Sequence, residues 1–177
     1  MTDSLLKHFT QDIMPQHHIV SGTGLDIACG TGENLVYLAS NGWKMTGIDR
    51  SKASLQTAHE SANLAGVTLT TIEADLETSV NPFSDFAPHC FDLITVSRYL
   101  HRPLLTAISS LIKPGGILVY QTFMVGCESS DIGKPSNPDF LLKSGELASR
   151  FVEAKHLVDE ETTTEDGRPY ARFIAQF

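Results

Sequence analysis

Long apolar runs are missing from this 177-residue sequence, and so are runs of lysine and arginine, paired cysteines and low-complexity tracts. Each absence removes a class of protein. No stretch is long enough to span a bilayer, and residues 1–20 interrupt their apolar positions with Asp3, Lys7, Asp12 and the histidines His8, His17 and His18, unlike the continuous core of a signal peptide. The expected location is the cytoplasm, with no membrane partner. Cys29, Cys90 and Cys127 are odd in number and far apart, with no C-x-x-C spacing, so free thiols are expected rather than a disulfide framework or a zinc site. His17 and His18 are adjacent and point to different sides of an extended chain, and no Cys or carboxylate stands at ligand spacing from them, so no metal is expected. Thirteen basic against 21 acidic residues leave a formal charge of −8. Neutralising a phosphate backbone needs clustered Lys and Arg, so the balance argues against a nucleic-acid partner and favours a small one.

What is present fits one globular domain over residues 1–177, with a helical arm at 1–20 and a core at 21–177. A chain of this length buries roughly 70% of the surface its unfolded form exposes. Leu5, Leu6, Phe9, Ile13 and Met14 recur at helical spacing behind a cap at Thr2 or Asp3, and Pro15 closes the segment. This helix is short enough to act as a lid over residues 1–15. Strands are expected at 24–29, 44–49, 67–74, 91–97 and 117–123. Helices are expected at 34–40, at 52–65 ending on Gly66, and along the face of Leu104, Leu105, Ile108, Leu111 and Ile112 up to the Lys113-Pro114-Gly115-Gly116 stop. Residues 81–90 and 125–139 read as loops. A last helix capped by Ser144 runs to about 151, and strands at 155–163 and 169–176 flank a turn at Glu165, Asp166 and Gly167. Alternating strands and helices predict an α/β, Rossmann-like, doubly wound and mostly parallel seven-stranded sheet with a C-terminal antiparallel hairpin, and a ligand crevice beyond the carboxyl ends of the strands.

The chemistry is therefore expected just after Cys29, Asp49, Asp75, Ser97 and Phe123. The run from Gly24 to Gly32 sets Gly30 and Gly32 between a buried strand and a helix start, where the backbone can turn sharply and a ligand can approach without a Cβ in the way. A dinucleotide fingerprint needs a third glycine where Leu35 stands, and Asp26 inside the strand suits a positively charged ligand better than a pyrophosphate. Asp49 closes the second strand, where a carboxylate can accept both hydroxyls of a ribose. Asp75 with Leu76 can bond an adenine amino group and pack on its ring. After the fourth strand, Arg98, Tyr99 and His101 are candidates to touch the molecule acted upon, with His101 able to take a proton near neutral pH.

The ordered series D-I-A-C-G-T-G-E-N, G-I-D-R-S, E-A-D-L, F-D-L-I-T-V-S and L-I-K-P-G-G-I-L-V resembles class I S-adenosylmethionine-dependent methyltransferases, and F-L-L-K-S-G-E-L-A-S-R-F at 140–151 resembles the tellurite-resistance and thiopurine-type enzymes within that group. The resemblance implies S-adenosyl-L-methionine as cofactor and a small-molecule acceptor. It implies that Asp26, Gly30 and Gly32 face the methionine end, Asp49 the ribose, and Asp75 with Leu76 the adenine, with Ala28, Arg50 and Ser97 also expected to bind the cofactor, while Arg98, Tyr99 and His101 remain the candidates for the acceptor side. The Asn-Pro-Pro-Tyr signature of amino methylation in nucleic acids is absent after the fourth strand. Two alternatives stay open: a catalytically silent S-adenosylmethionine-binding regulator and an NAD-dependent oxidoreductase. The sequence leaves the oligomeric state open.

Overall fold

The computed structural model describes residues 4–78 and 81–177. A helical stretch leads from α1 (Ser4–His8) through a π-helical segment (Phe9–Ile13) into α2 (Met14–Gln16). The Met14 amide reaches back five residues to the Phe9 carbonyl. A proline ring inside a regular helix clashes with the carbonyl four residues earlier, and the wider turn relieves that clash. The helix therefore ends one residue beyond Pro15. The candidate caps Thr2 and Asp3 lie outside the described residues. Leu5, Leu6, Phe9 and Ile13 are buried, packed with Leu35, Leu38, Trp43 and Val119.

The core follows as β1 (Thr23–Ile27), α3 (Glu33–Ser40), β2 (Lys44–Asp49), α4 (Lys52–Ala65), β3 (Thr70–Glu73), β4 (Phe91–Ser97), α5 (Arg102–Leu111), β5 (Ile112–Phe123), α6 (Glu146–Arg150), β6 (Lys155–Thr163) and β7 (Pro169–Gln176). Seven strands form one sheet in the order β3-β2-β1-β4-β5-β7-β6. The pairs among β1 to β5 are parallel, and β7 is antiparallel to both β5 and β6. Side chains alternate across the sheet as a period of two requires. Ile94, Val96, Leu118, Tyr120 and Phe173 join Leu104, Leu105 and Ile108 of α5 on one face. Leu93, Ile117, Val119 and Ile174 join the N-terminal helix and α3 on the other. Both faces are thus covered, as a parallel sheet demands. Among the described residues no helix is long and apolar enough to cross a membrane.

Three local expectations need correcting. Ile112 belongs to β5 rather than to the preceding helix. It pairs with Phe91, the next pair is Leu93 with Ile117, and so the Lys-Pro-Gly-Gly stretch is a bulge within β5. Strand β3 starts at Thr70 rather than 67, because the Val67 amide is used in closing α4 on the Ala62 carbonyl. Ser144 does not cap α6. Gly145 holds that position, while Glu161 of β6 accepts the Ser144 hydroxyl at 3.0 Å and the Gly145 amide at 2.7 Å. At the amino ends of the strands, Lys113 reaches both Asp92 oxygens at 2.8 and 2.9 Å, and Asp92 in turn accepts the amide and hydroxyl of Thr23. The opposite, carboxyl ends are left open for the site.

Candidate functional site

Strands β1 and β4 are neighbours, yet the chain leaves them in opposite directions along the sheet, toward β2 and toward β5. A crevice opens where the strand order reverses in this way. Both of its central corners adopt a left-handed backbone that side chains other than glycine rarely take: Ala28 after β1 at φ 57° and Arg98 after β4 at φ 55°. The Cys29 amide bonds the Ile48 carbonyl, and the Arg98 amide bonds the Gln121 carbonyl at 2.9 Å, so each strained turn is tied to the next strand. Strain of this kind, held by its surroundings, collects at functional sites.

Two adjoining cavities fill the crevice. The larger, about 380 Å³, is bordered on the β2 and β3 side by Asp49, Arg50, Ala74, Asp75, Leu76 and Glu77. On the β4 and β5 side it meets Arg98, Tyr99, Leu100, Thr122 and Phe123, with Pro135 and Phe140 from the following loop. The smaller, about 230 Å³, lies against Asp26, Cys29, Gly30, Thr31, Glu33, Asn34 and Ser97. Ala28 and Arg98 border both.

Asp49 organises the floor. Its Oδ2 accepts the Gly30 amide at 2.8 Å and its Oδ1 the Ser51 amide at 2.9 Å. Each carboxylate oxygen keeps acceptor capacity for a diol. Asp26 is buried beneath the turn and accepts the Thr95 hydroxyl at 2.7 Å. Burial, with the carboxylates of Asp26 and Asp49 beside it, pushes the Cys29 thiol well above its ordinary pKa, so it stays a neutral packing group. Above Gly30, at φ 53°, the space is open. Gly32 serves another purpose: it borders neither cavity, and its bare Cα lets α3 pack against Ala58.

Tyr99 springs from the β4 side. Its buried hydroxyl has no hydrogen-bond partner among the described residues. Burial first, and then the nearby carboxylates of Glu77 and Asp75, drive its pKa far up, so the group remains a proton donor seeking an acceptor. Phe123 is fixed by an edge contact with Tyr170 at 5.1 Å and by the Arg168 guanidinium 4.3 Å over its ring. Arg102 holds the loop beneath Phe140, donating to the carbonyls of Asp139 and Leu141 and to both oxygens of Glu146.

Of the residues singled out in the sequence, Asp26, Ala28, Gly30, Asp49, Arg50, Asp75, Leu76, Ser97, Arg98 and Tyr99 border these cavities, and Gly32 and His101 do not. His101 is the cap residue just before α5, its carbonyl accepting the Leu104 amide. Glu77, Leu100, Thr122 and Pro135 went unnoticed in the sequence. Their signal is weak, because all but Thr122 lie outside the strands and Thr122 alternates inside one without a motif. Leu35, standing where a dinucleotide fingerprint has glycine, is fully buried in the core. Among the described residues no cluster of His, Cys, Asp or Glu could hold a metal ion.

A methyltransferase domain family matches residues 25–116. Ubiquinone biosynthesis O-methyltransferase of Vibrio cholerae is 31% identical over 103 residues, 55% of this chain and 40% of that one. The chain thus spans well under half the length of that curated relative. Among solved structures, TehB of Haemophilus influenzae superposes with a TM-score of 0.71 at 20% identity, over 97% of this chain and 66% of that one. The 1,6-didemethyltoxoflavin-N1-methyltransferase of Burkholderia thailandensis gives 0.69 at 16% identity, over 98% and 78%. At these identities the structural likeness is one of fold.

Proposed function

Because the chain belongs to the methyltransferase domain family, we propose that it transfers a methyl group from S-adenosyl-L-methionine to a small-molecule acceptor. The observation that carries this reading is the Asp49 carboxylate, locked to the Gly30 and Ser51 amides in the floor of a cavity that Asp75 and Leu76 also border. That set suits an adenosine: a doubly anchored acceptor for a ribose diol, then a carboxylate and an apolar side chain for the base. The smaller cavity, with Asp26, Gly30, Asn34 and Ser97, suits a cationic amino-acid end. The unpartnered Tyr99 hydroxyl is a further sign that the cavity takes a polar ligand.

Bound there, the cofactor supplies a methyl group already activated on a sulfonium, with a neutral thioether to depart. The work left to the chain is positional. Holding an acceptor in line can be worth an effective molarity of about 10⁵ to 10⁸ M. Among the described residues no histidine borders the cavities, and the carboxylates of the larger one, Asp49, Asp75 and Glu77, are the groups at hand to take a proton from an acceptor that carries one. The acidic charge supports a small acceptor over a polynucleotide, and the free thiols Cys29, Cys90 and Cys127 support a cytoplasmic setting. Titration calorimetry with S-adenosylmethionine and S-adenosylhomocysteine should give micromolar binding and NAD none. A screen for transfer of a labelled methyl group onto small molecules then separates an enzyme from a silent binder. Heat with NAD alone would overturn the reading.

A further inference from the structure

Charge is unevenly divided across the larger cavity. Asp49 ends β2 and Asp75 and Glu77 follow β3, with Arg50 beside Asp49. Past the switch between β1 and β4, the bordering residues are Arg98, Tyr99, Leu100, Thr122, Phe123, Pro135 and Phe140, and Arg98 is the charged one. Its guanidinium is exposed and has no ion-pair or hydrogen-bond partner among the described residues, in contrast to Arg102, Arg168 and Arg172, each paired with a carboxylate. Its backbone is held at φ 55° by the bond to Gln121, which fixes where the side chain leaves the strand end. Three aromatic rings share its cavity: Tyr99, Phe123 immobilised by Arg168 and Tyr170, and Phe140, which is left 39% exposed.

We propose that Arg98 is the specificity-determining residue of the acceptor end, selecting a small aromatic acceptor that carries a carboxylate. An unpaired guanidinium beside an apolar wall recognises a planar anion through paired N–H donors, and aromatic walls favour a ring attached to that anion. The inference rests on the reading of the cleft as a methyltransferase site. A carboxylate could also come from the amino-acid end of the cofactor, since Arg98 borders the smaller cavity too. The acceptor is favoured because the smaller cavity already offers the side chains of Thr31 and Asn34 to such a group, whereas on the aromatic side of the larger cavity Arg98 is the one cation among the described residues, with the neutral Tyr99 and Thr122 hydroxyls beside it.

The test uses binding, with no acceptor identified in advance. In the wild-type protein saturated with S-adenosylhomocysteine, salicylate and 4-hydroxybenzoate should bind at least 10-fold more tightly than their neutral amides by calorimetry. Arg98→Gln should weaken the carboxylates by about 10-fold to 100-fold and leave the amides unchanged, and Arg98→Lys should restore part of the difference. The same variant should bind S-adenosylhomocysteine and 5′-methylthioadenosine, which lacks the amino-acid end, as the wild type does. Equal affinity for acids and amides in the loaded wild type overturns the proposal. So does a loss confined to S-adenosylhomocysteine in Arg98→Gln, which would assign the guanidinium to the cofactor. Failure of the wild type to bind S-adenosylhomocysteine at all is a different result, and it would remove the methyltransferase reading itself.

Discussion

A Cβ placed on Gly32 would lie 2.4 Å from the Cβ of Ala58, so the first turn of α3 and the middle of α4 touch through a missing methyl group. Gly32→Ala should therefore destabilise the fold by about 1 to 3 kcal/mol through overpacking, with strain from its φ of 77° added. Urea unfolding measures this. Because Gly32 borders neither cavity, S-adenosylhomocysteine affinity in the folded variant should stay within a few-fold of wild type. Gly30→Ala, at φ 53°, should carry the backbone strain without the clash, and a clear loss of binding with it.

Asp49→Ala removes the acceptor shared by the Gly30 and Ser51 amides as well as the diol contact. Affinity for S-adenosylhomocysteine should fall by roughly 1.5 to 3 kcal/mol, the size of lost hydrogen bonds to a charged group. Calorimetry on the variant and the wild type at one ionic strength checks it. Unchanged affinity would place the adenosine elsewhere.

These two sites show what the sequence made legible and what it hid. Glycines between a strand and a helix, and an acid at the end of the next strand, are dictated by local geometry, and both Gly30 and Asp49 reach the cleft. Gly32 and His101 obey the same motif logic and miss it. The reason for Gly32 is a helix contact 26 positions away in sequence, and His101 falls beyond the corner that Arg98 makes. The bulge in β5 was hidden for a similar cause. Lys113-Pro114-Gly115-Gly116 is punctuation by local rules, and only the pairing of Ile112 with Phe91 turns it into strand. Contacts set by tertiary packing leave no periodicity to read.

Tyr99→Phe offers a trade between stability and binding. A buried hydroxyl without a partner costs about 1 to 3 kcal/mol, so its removal should raise the unfolding free energy of the ligand-free protein by a fraction of that range. If a bound ligand satisfies the hydroxyl, the same variant should bind it more weakly. A variant that is both less stable and equally avid would show the hydroxyl to be structural.

The Arg102 to Glu146 pair should make the loop carrying Phe140 sensitive to acid. Burial alone would raise the Glu146 pKa, but the Arg102 hydrogen bonds and the Lys143 amide outweigh it and hold the carboxyl below its usual value near 4.5. A depressed acid stabilises the fold above its unfolded pKa and loses that contribution as pH falls through the folded one. Glu146→Gln should thus be less stable than wild type at pH 7, and the two should converge as pH falls from the unfolded pKa through the depressed folded one, as followed by urea midpoints across pH.

Phe9 is fully buried and sits 6.2 Å from the Trp43 ring, which makes the N-terminal helix part of the core rather than a lid. Phe9→Ala should cost about 3 to 5 kcal/mol. Amide exchange across residues 4–16 should be slow, and nearly the same with and without S-adenosylhomocysteine. Strong ligand-dependent slowing would restore the lid.

The Lys113, Asp92 and Thr23 clamp fastens the amino ends of β1, β4 and β5, while the cleft is assembled at their far ends. Registration of the central strands is therefore settled at the edge of the sheet opposite the cavities. Such a separation lets the corners after the strands drift in sequence without putting the sheet at risk. It makes the stretches at 97–100 and 122–140 the natural place to graft a different acceptor preference, and the clamp the place where a single charge reversal would be felt by every ligand alike.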